Sequence, residues 1–428
     1  MLRKCATALS RKFSTTGVFR VLSPSFSLDQ EWTSRHNDLN RLGLGGDYEW
    51  ISAVQKKFIG GGIASAVDVD AAVCIAEQKD QVEDVLELLY KLRHSENASD
   101  LAESSEYAIV RLLLNHQPET VFKFANDPIN YGVFLNAHVA CLAIDHFLKA
   151  NNVQGAARLV SWIMQQEDTD NELVNTLSLY VCAKWAELPA DQQTMPLPVV
   201  DEEEVNDDDI RTFKFPYLKN EFFDSHFDLN NPHHLVGKSL LWISRDTKCL
   251  DENLRTSLRL LGAVLYSRLD LASTLASSST APSVISLVRK QLQPTEEGAE
   301  LTEPAQKVIE KFGEPATSAE PAKSLSSTLL EQLEKIRPSE EQKLAEQQKE
   351  EFGRWNERRR QLAKAQAERV LLKIRAEEIR AELNELDKNE EKLGFFEKRL
   401  MWEKRAAENE EIEREAAVRN SKVAVQNS

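Results

Sequence analysis

The sequence predicts an all-α fold, an α-solenoid of helical hairpins followed by a long charged C-terminal helix. Three observations predict it. Apolar residues recur at helical spacing. Helix pairs recur about every 35 residues. Gly and Pro number only 15 and 14 in 428 residues, too few for turn-dense β structure.

The chain opens with "MLRKCATALSRKFSTTGVFR", which holds Arg3, Lys4, Arg11, Lys12 and Arg20 and no acid. An Arg- and Ser-rich, acid-poor start without a continuous apolar centre reads as a mitochondrial transit peptide over residues 1–20, cut after Phe13 or near Arg20. Its removal takes five positive charges from a net −16 and leaves −21. Residues 21–67 form an N-terminal segment whose "GLGGDYEW" and "FIGGGIAS" read as connectors, without the spacing of a dinucleotide-binding loop.

Residues 68–188 carry the repeats. From Val153, the positions Val153, Ala156, Ala157, Val160, Ile163 and Met164 form one helical stripe, with Asn152 placed to cap it. Val139, Leu142, Ala143 and Phe147 mark the preceding helix, and "KANN" makes the two antiparallel neighbours. Upstream, Asp80 with Glu83 resembles a capping box, and Pro118 suits a first helical turn. Cap positions Asp80, Gln117 and Asn152 lie 37 and 35 residues apart. The partner helices begin near Asp68, Asp100, Asn136 and Asp170. No single pair hides its apolar face, so stacking is required.

Residues 189–232 break this pattern, with an acidic linker at "DEEEVNDDD" and an aromatic stretch that includes Phe213, Phe215, Tyr217, Phe222, Phe223 and Phe227. Helical repeats resume over 233–290. Residues 291–338, rich in Pro, Glu, Ala and Ser, read as a flexible linker. From Ser339, the "SEEQ" capping box opens a charged helix to about residue 420, roughly 120 Å long. Leu362, Val370, Ile374, Leu383, Leu386 and Leu393 give an apolar seam; the coiled-coil heptad is imperfect, so this helix is expected to pack on a partner.

No reaction centre is expected. Gly237-Lys238-Ser239 lacks the glycine a P-loop needs five residues earlier, where Pro232 stands. Cys5, Cys74, Cys141, Cys182 and Cys249 form no CxxC pair and read as free thiols; Cys141 with His138 or His146 is too sparse a set for structural zinc. His233 and His234 fit a surface pair at a helix start. No catalytic, cofactor or metal residue is assigned, and neither a membrane span nor a small-molecule substrate is expected.

A helix-pair array of this period suits RNA, but a charge of −21 opposes broad phosphate contact. Contact is therefore expected to be local. The candidates are Lys91, Arg93, Arg111, Lys149, Arg158 and the run "RWNERRR" with Arg354, Trp355, Arg358, Arg359 and Arg360.

The helix pairs resemble pentatricopeptide repeats. More closely, "LLYKLRHS" (88–95), "YGVF" (131–134), "DHFLK" (145–149), "LSLYV" (177–181), "HLVGK" (234–238) and "LRLLGAVL" (258–265) together resemble the family of mitochondrial small ribosomal subunit protein twenty-seven. The resemblance implies a non-catalytic, RNA-associated structural component of the mitochondrial small ribosomal subunit that supports translation in the matrix. Its partners would be small-subunit rRNA and neighbouring ribosomal proteins. The base-reading positions of a pentatricopeptide repeat fall here on Cys141 and Asn136, with Leu135 in place of the usual proline. A cysteine reads bases poorly, so docking by shape or by protein contact is favoured. Two other readings stand beside it: a free repeat protein that matures or stabilises organelle transcripts, and a helical scaffold or tether without RNA contact.

Overall fold

The computed structural model describes residues 21–43, 45–197, 226–277, 280–293, 303–312 and 323–426. The expected transit peptide, and most of the acidic and aromatic stretch at 198–225, lie outside the described residues. Sixteen α-helices and no strand are present among the described residues. The chain divides into two units, 1–359 and 360–428.

In the first unit, α1 (Asp29–Asn40) and α2 (Asp47–Lys57) precede the repeats. The hairpins follow as α3 (Ala66–Ile75) with α4 (Gln81–Arg93), then α5 (Glu103–His116) with the short α6 (Phe122–Asn126) and α7 (Pro128–Tyr131), then α8 (Ala137–Lys149) with α9 (Val153–Gln165). Next comes α10 (Glu172–Glu187) with α11 (Pro232–Asp246), and α12 (Glu252–Leu265), α13 (Leu269–Leu275), α14 (Pro282–Leu292) and α15 (Glu303–Glu310) close the run. The first helices α3, α5, α8 and α10 form one row, each touching the next, while α6, α9 and α11 pack behind them. This is a solenoid of helical hairpins, and one continuous hydrophobic core runs through it.

Local sequence chemistry explains the best-defined repeat. Asn136 Oδ1 accepts the Val139 N–H at 2.9 Å, and Asn152 Oδ1 accepts the Gly155 N–H at 2.8 Å. Each satisfies an orphan donor at a helix start. Between them Asn151 sits at φ 55°, a region that asparagine tolerates, and the Asn152 N–H returns to Phe147 O at 2.9 Å. The predicted stripe of α9, from Val153 to Met164, is buried along its length. Gly155 is required there: a Cβ would lie 2.9 Å from Phe147 Cδ1 and 3.0 Å from Phe122 Cζ.

Three boundaries differ from expectation. Asp80 makes no cap; its carboxylate instead accepts the Tyr48 hydroxyl at 2.9 Å. Pro118 opens a 3-10 turn, Pro118–Val121, and α6 ends early because Pro128 follows, lacking an N–H and disfavouring helix at Asp127. The expected linker 291–338 contains α15, and the C-terminal helix α16 (Leu325–Gln426) begins before Ser339 with Pro338 inside it. Burial explains that start. Leu325, Leu329 and Leu333 are at most 1 % exposed. At about 1.5–3 kcal/mol each, three buried leucines outweigh the roughly 3 kcal/mol an interior proline costs.

Residues 360–428 form the second unit, helical to Gln426 and continuing through Gly394. Its apolar side chains, among them Leu372, Leu393, Phe396 and Leu400, are largely exposed.

Candidate docking surfaces

The row α3, α5, α8 and α10 is covered by other parts of the chain itself. The Val21 and Leu22 N–H groups reach Asp145 Oδ1 on α8, at 3.2 and 3.4 Å. Phe26 lies 4.5 Å from the His138 ring, and its carbonyl oxygen is 2.8 Å from His138 Nε2. Arg111 on α5 donates to Ser27 O at 2.7 Å and pairs with Asp29. From α1, Arg35 donates to Cys74 O at 2.8 Å, and Trp32 meets Tyr107 at 5.0 Å.

The first third of α16 crosses the same row in reverse order. Ser326 donates to Glu187 on α10 through its N–H at 2.9 Å and its hydroxyl at 2.5 Å. Gln348 Oε1 accepts from the Asn136 side chain at 3.1 Å, at the start of α8. Trp355 packs 5.5 Å from Tyr107 and donates to Glu103 at 3.3 Å on α5. Arg359 donates to Asp70 at 2.6 Å and to Cys74 at 3.2 Å on α3. The two coverings interlock: Glu341 accepts the Ser23 N–H at 2.7 Å, Arg337 donates to Val21 O at 3.0 Å, and Lys349 meets Glu31 at 2.6 Å.

This arrangement corrects several candidates. Arg111, Arg158, Trp355 and Arg359 are 3–8 % exposed and are committed internally. Arg158 donates to Ala125 O at 2.8 Å and to Asn126 Oδ1 at 2.9 Å, and burial draws its guanidinium down to about 10. Asn136 is engaged on both ends of its amide, and Cys141 is fully buried, with burial pushing its thiol far up. Neither position is open to a base. Of the other candidates, Lys91 pairs with Glu87 at 2.7 Å, Lys149 with Asp145, and Arg354 with Glu351 at 2.8 Å. Arg93 donates to Ile129 O at 3.0 Å. Arg358 is exposed and makes no ion pair among the described residues; Arg360, in the second unit, is exposed. The sequence reading missed Arg35 and Asp70, because an isolated cation or acid carries no mark of a distant partner.

Other chemistry is modest. A cavity of about 240 Å³ lies beside Trp32, Arg35, Cys74, Trp355 and Arg359. Its polar groups are already committed, Arg35 to Glu77, Ser104 and Arg359 to Asp70, Asn356 to Asp38 and Lys349 to Glu31. No three His, Cys, Asp or Glu residues approach a metal geometry among the described residues. His233 Nε2 lies 3.2 Å from Gln193 Oε1, and burial lowers its pKa, with His234 adding to the shift. Gly237, within the Gly-Lys-Ser run, is a helix-crossing residue: a Cβ there would meet Tyr266 N at 2.5 Å and Gly262 O at 2.8 Å. Among the described residues no helix is long and apolar enough to cross a membrane.

The chain is thus an array of stacked helical hairpins whose α3–α5–α8–α10 row is covered by residues 21–40 and 325–359. The chain matches the family described as mitochondrial 28S ribosomal protein S27 over residues 1–385 of its 428, and it belongs to that family. A structural role in the mitochondrial small ribosomal subunit follows, in a family that is generally non-enzymatic.

Proposed function

We propose that this chain is a non-catalytic scaffold bound in the mitochondrial small ribosomal subunit in the matrix. It docks through outer faces onto rRNA and neighbouring ribosomal proteins and thereby supports translation. The observation that carries this reading is the occupation of the α3–α5–α8–α10 face by residues 21–40 and 325–359. A transcript-reading repeat protein needs that face open. The second unit supports a protein partner: Leu372, Ile379, Leu386, Leu393 and Leu400 recur every seven residues and are 43–87 % exposed.

Sedimentation of a mitochondrial lysate at low magnesium tests the proposal. Comigration with small-subunit rRNA is expected. A light or message-sized pool would favour the transcript-binding alternative, and a dense position that survives ribonuclease without rRNA would favour the tether. Among the basic residues, Arg354 and Arg358 are the exposed pair to reverse, since Arg359 holds the fold. R354E/R358E is expected to weaken comigration, and an unchanged profile removes these arginines from the docking surface. Deleting residues 1–20 is expected to leave the chain outside mitochondria; import of the truncated chain refutes the targeting assignment.

A further inference from the structure

Three successive main-chain N–H groups, those of residues 21–23, converge on two carboxylates. Val21 and Leu22 donate to Asp145 Oδ1 at 3.2 and 3.4 Å, and Ser23 donates to Glu341 Oε1 at 2.7 Å. Arg337 donates to Val21 O at 3.0 Å, and Lys149 pairs with Asp145. Both acids act on the buried Cys141 thiol, so they share one neighbourhood. The place is enclosed: Val21 is 2 % exposed, Leu22 and Asp145 3 %, and Glu341 9 %. Asp145 and Lys149 belong to α8, and Arg337 and Glu341 to α16. Residues 21–23 therefore tie a repeat helix to the C-terminal helix.

This enclosure begins where the basic leader ends. A cut after Arg20, with Arg11 ten residues before the cleaved bond, leaves Val21 as the first residue. Hydrolysis of that bond by a processing peptidase adds water across it: Arg20 leaves with a carboxylate, and Val21 gains an α-ammonium. The nitrogen that offers one neutral N–H to Asp145 then brings a positive charge and further donors to the same spot. Charge-assisted hydrogen bonds are about twice as strong as neutral ones, and enclosure from water reduces their screening. The surroundings suit such a charge. Arg337 is engaged with a carbonyl, and the buried Glu341 forms no ion pair among the described residues.

We propose that cleavage between Arg20 and Val21 sets a maturation lock, in which the new Val21 ammonium seats on Asp145 and fastens residues 21–23 and α16 over the repeat row more firmly than in the precursor. This lock rests on the mitochondrial targeting reading above and assigns its end point. Val21 and Leu22 are enclosed once the chain has folded, so the cut precedes folding, while the imported chain is still extended.

The first measurement recovers a C-terminally tagged chain from mitochondria and reads its first residue by mass spectrometry of the terminal peptide. Val21 is expected. Ser14, any other first residue, or an uncut chain inside mitochondria overturns the lock and leaves the targeting reading standing; a tagged chain found outside mitochondria refutes targeting, and the lock with it. The second measurement compares urea unfolding of chain 21–428 with that of the same chain carrying Gly-Ser ahead of Val21, which keeps the N–H and moves the charge away. The free Val21 chain is expected to unfold about 0.5–1.5 M later at neutral pH. An α-amine titrates at about 7.7–8.0 in the unfolded chain and higher beside a carboxylate, so the advantage is expected to be full below that range and to vanish as pH rises through the folded value. Lys149, Asp145, Cys141, Arg337 and Glu341 face this amine in both chains, so their own titration cancels in the comparison. Asp145→Asn is expected to erase the difference between the two chains; should D145N misfold, the pH series carries the test alone. Equal midpoints at neutral pH, or a difference that persists unchanged to about pH 10, overturns the proposal.

Discussion

Arg359→Met would remove a buried cation from beneath the C-terminal helix while keeping most of its volume. In the native chain, Asp70 Oδ2 accepts from Arg359 Nε at 2.6 Å, and Oδ1 accepts from the Ser104 and Ser105 hydroxyls at 2.5 and 2.8 Å. Both side chains of the ion pair are 5 % exposed. R359M leaves a buried carboxylate with two hydroxyls and no counter-charge, a situation that costs about 3–5 kcal/mol. Asp70→Asn strands the guanidinium instead and is expected to cost a similar amount. The double variant removes both charges and should recover at least about 2 kcal/mol of the summed loss, a coupling within the range for contacting residues. With a urea slope of about 2–3 kcal/mol/M, the single variants should unfold about 1–2.5 M earlier. Trp32 and Trp355 each lie within 5.6 Å of Phe352 at the seam, so the part of the fluorescence lost on Trp355→Phe reports the seam, and far-UV ellipticity reports the helices. If that part changes first in R359M, the helix leaves the repeats before they unfold. Wild-type-like midpoints, or single losses that simply add in the double variant, would refute the argument that this pair fastens α16 to α3.

Further outcomes follow from other parts of the first unit. His138 is drawn down to about 4 from 6.5, by burial first, with Arg111 adding and the Phe26 carbonyl opposing. The unfolded chain therefore binds a proton that the native chain refuses, so stability should fall by about 3 kcal/mol as pH drops from about 6.5 to about 4. Urea midpoints across that window should slope less in His138→Gln than in wild type. Gly237→Ala should destabilise by about 1–3 kcal/mol, because its Cβ meets backbone atoms of α12 and Tyr266. Gly353→Ala meets nothing within 4 Å and should raise the thermal midpoint, worth about 0.5–1 kcal/mol in helix propensity. Trp355→Ala should expose the Cys74 thiol, which lines a cavity beside that ring, and maleimide labelling of Cys74 at a rate equal to wild type would contradict this.

What the sequence made legible was local. Asn136 and Asn152 can be read as caps because the N–H groups they satisfy lie three residues ahead. The α9 stripe can be read because its burial follows helical geometry. The start of α16 was not legible: Pro338 argues for a break, and only the burial of Leu325, Leu329 and Leu333 overrides it. Asp80 shows the same limit, since its carboxylate prefers a tyrosine 32 residues away to its own helix. Among the docking candidates, a free arginine and a buried one look alike in sequence. Arg359 finds Asp70 across 289 residues and Arg111 finds Asp29 across 82. The densest basic run thus contains the residue most firmly committed to the fold.

The same distinction between average and local charge bears on how an acidic protein docks on a ribosome. Residues 360–428 contain fifteen basic and fifteen acidic residues and are neutral, so the whole excess of −16 belongs to residues 1–359. Against rRNA, that excess opposes broad contact with the repeats at any salt at which counterions are released. A closed α3–α5–α8–α10 face suits this balance, because it withdraws Arg111 and Arg359 into internal pairs with Asp29 and Asp70, while Arg158 on α9 is committed to Ala125 O and Asn126 behind it. The neutral second unit meets no such barrier and presents Leu372, Ile379, Leu386, Leu393 and Leu400 at seven-residue intervals, an apolar surface that suits another helix better than phosphate. On the proposed docking, protein contacts through that stripe reconcile membership of a ribosomal family with a strongly negative chain.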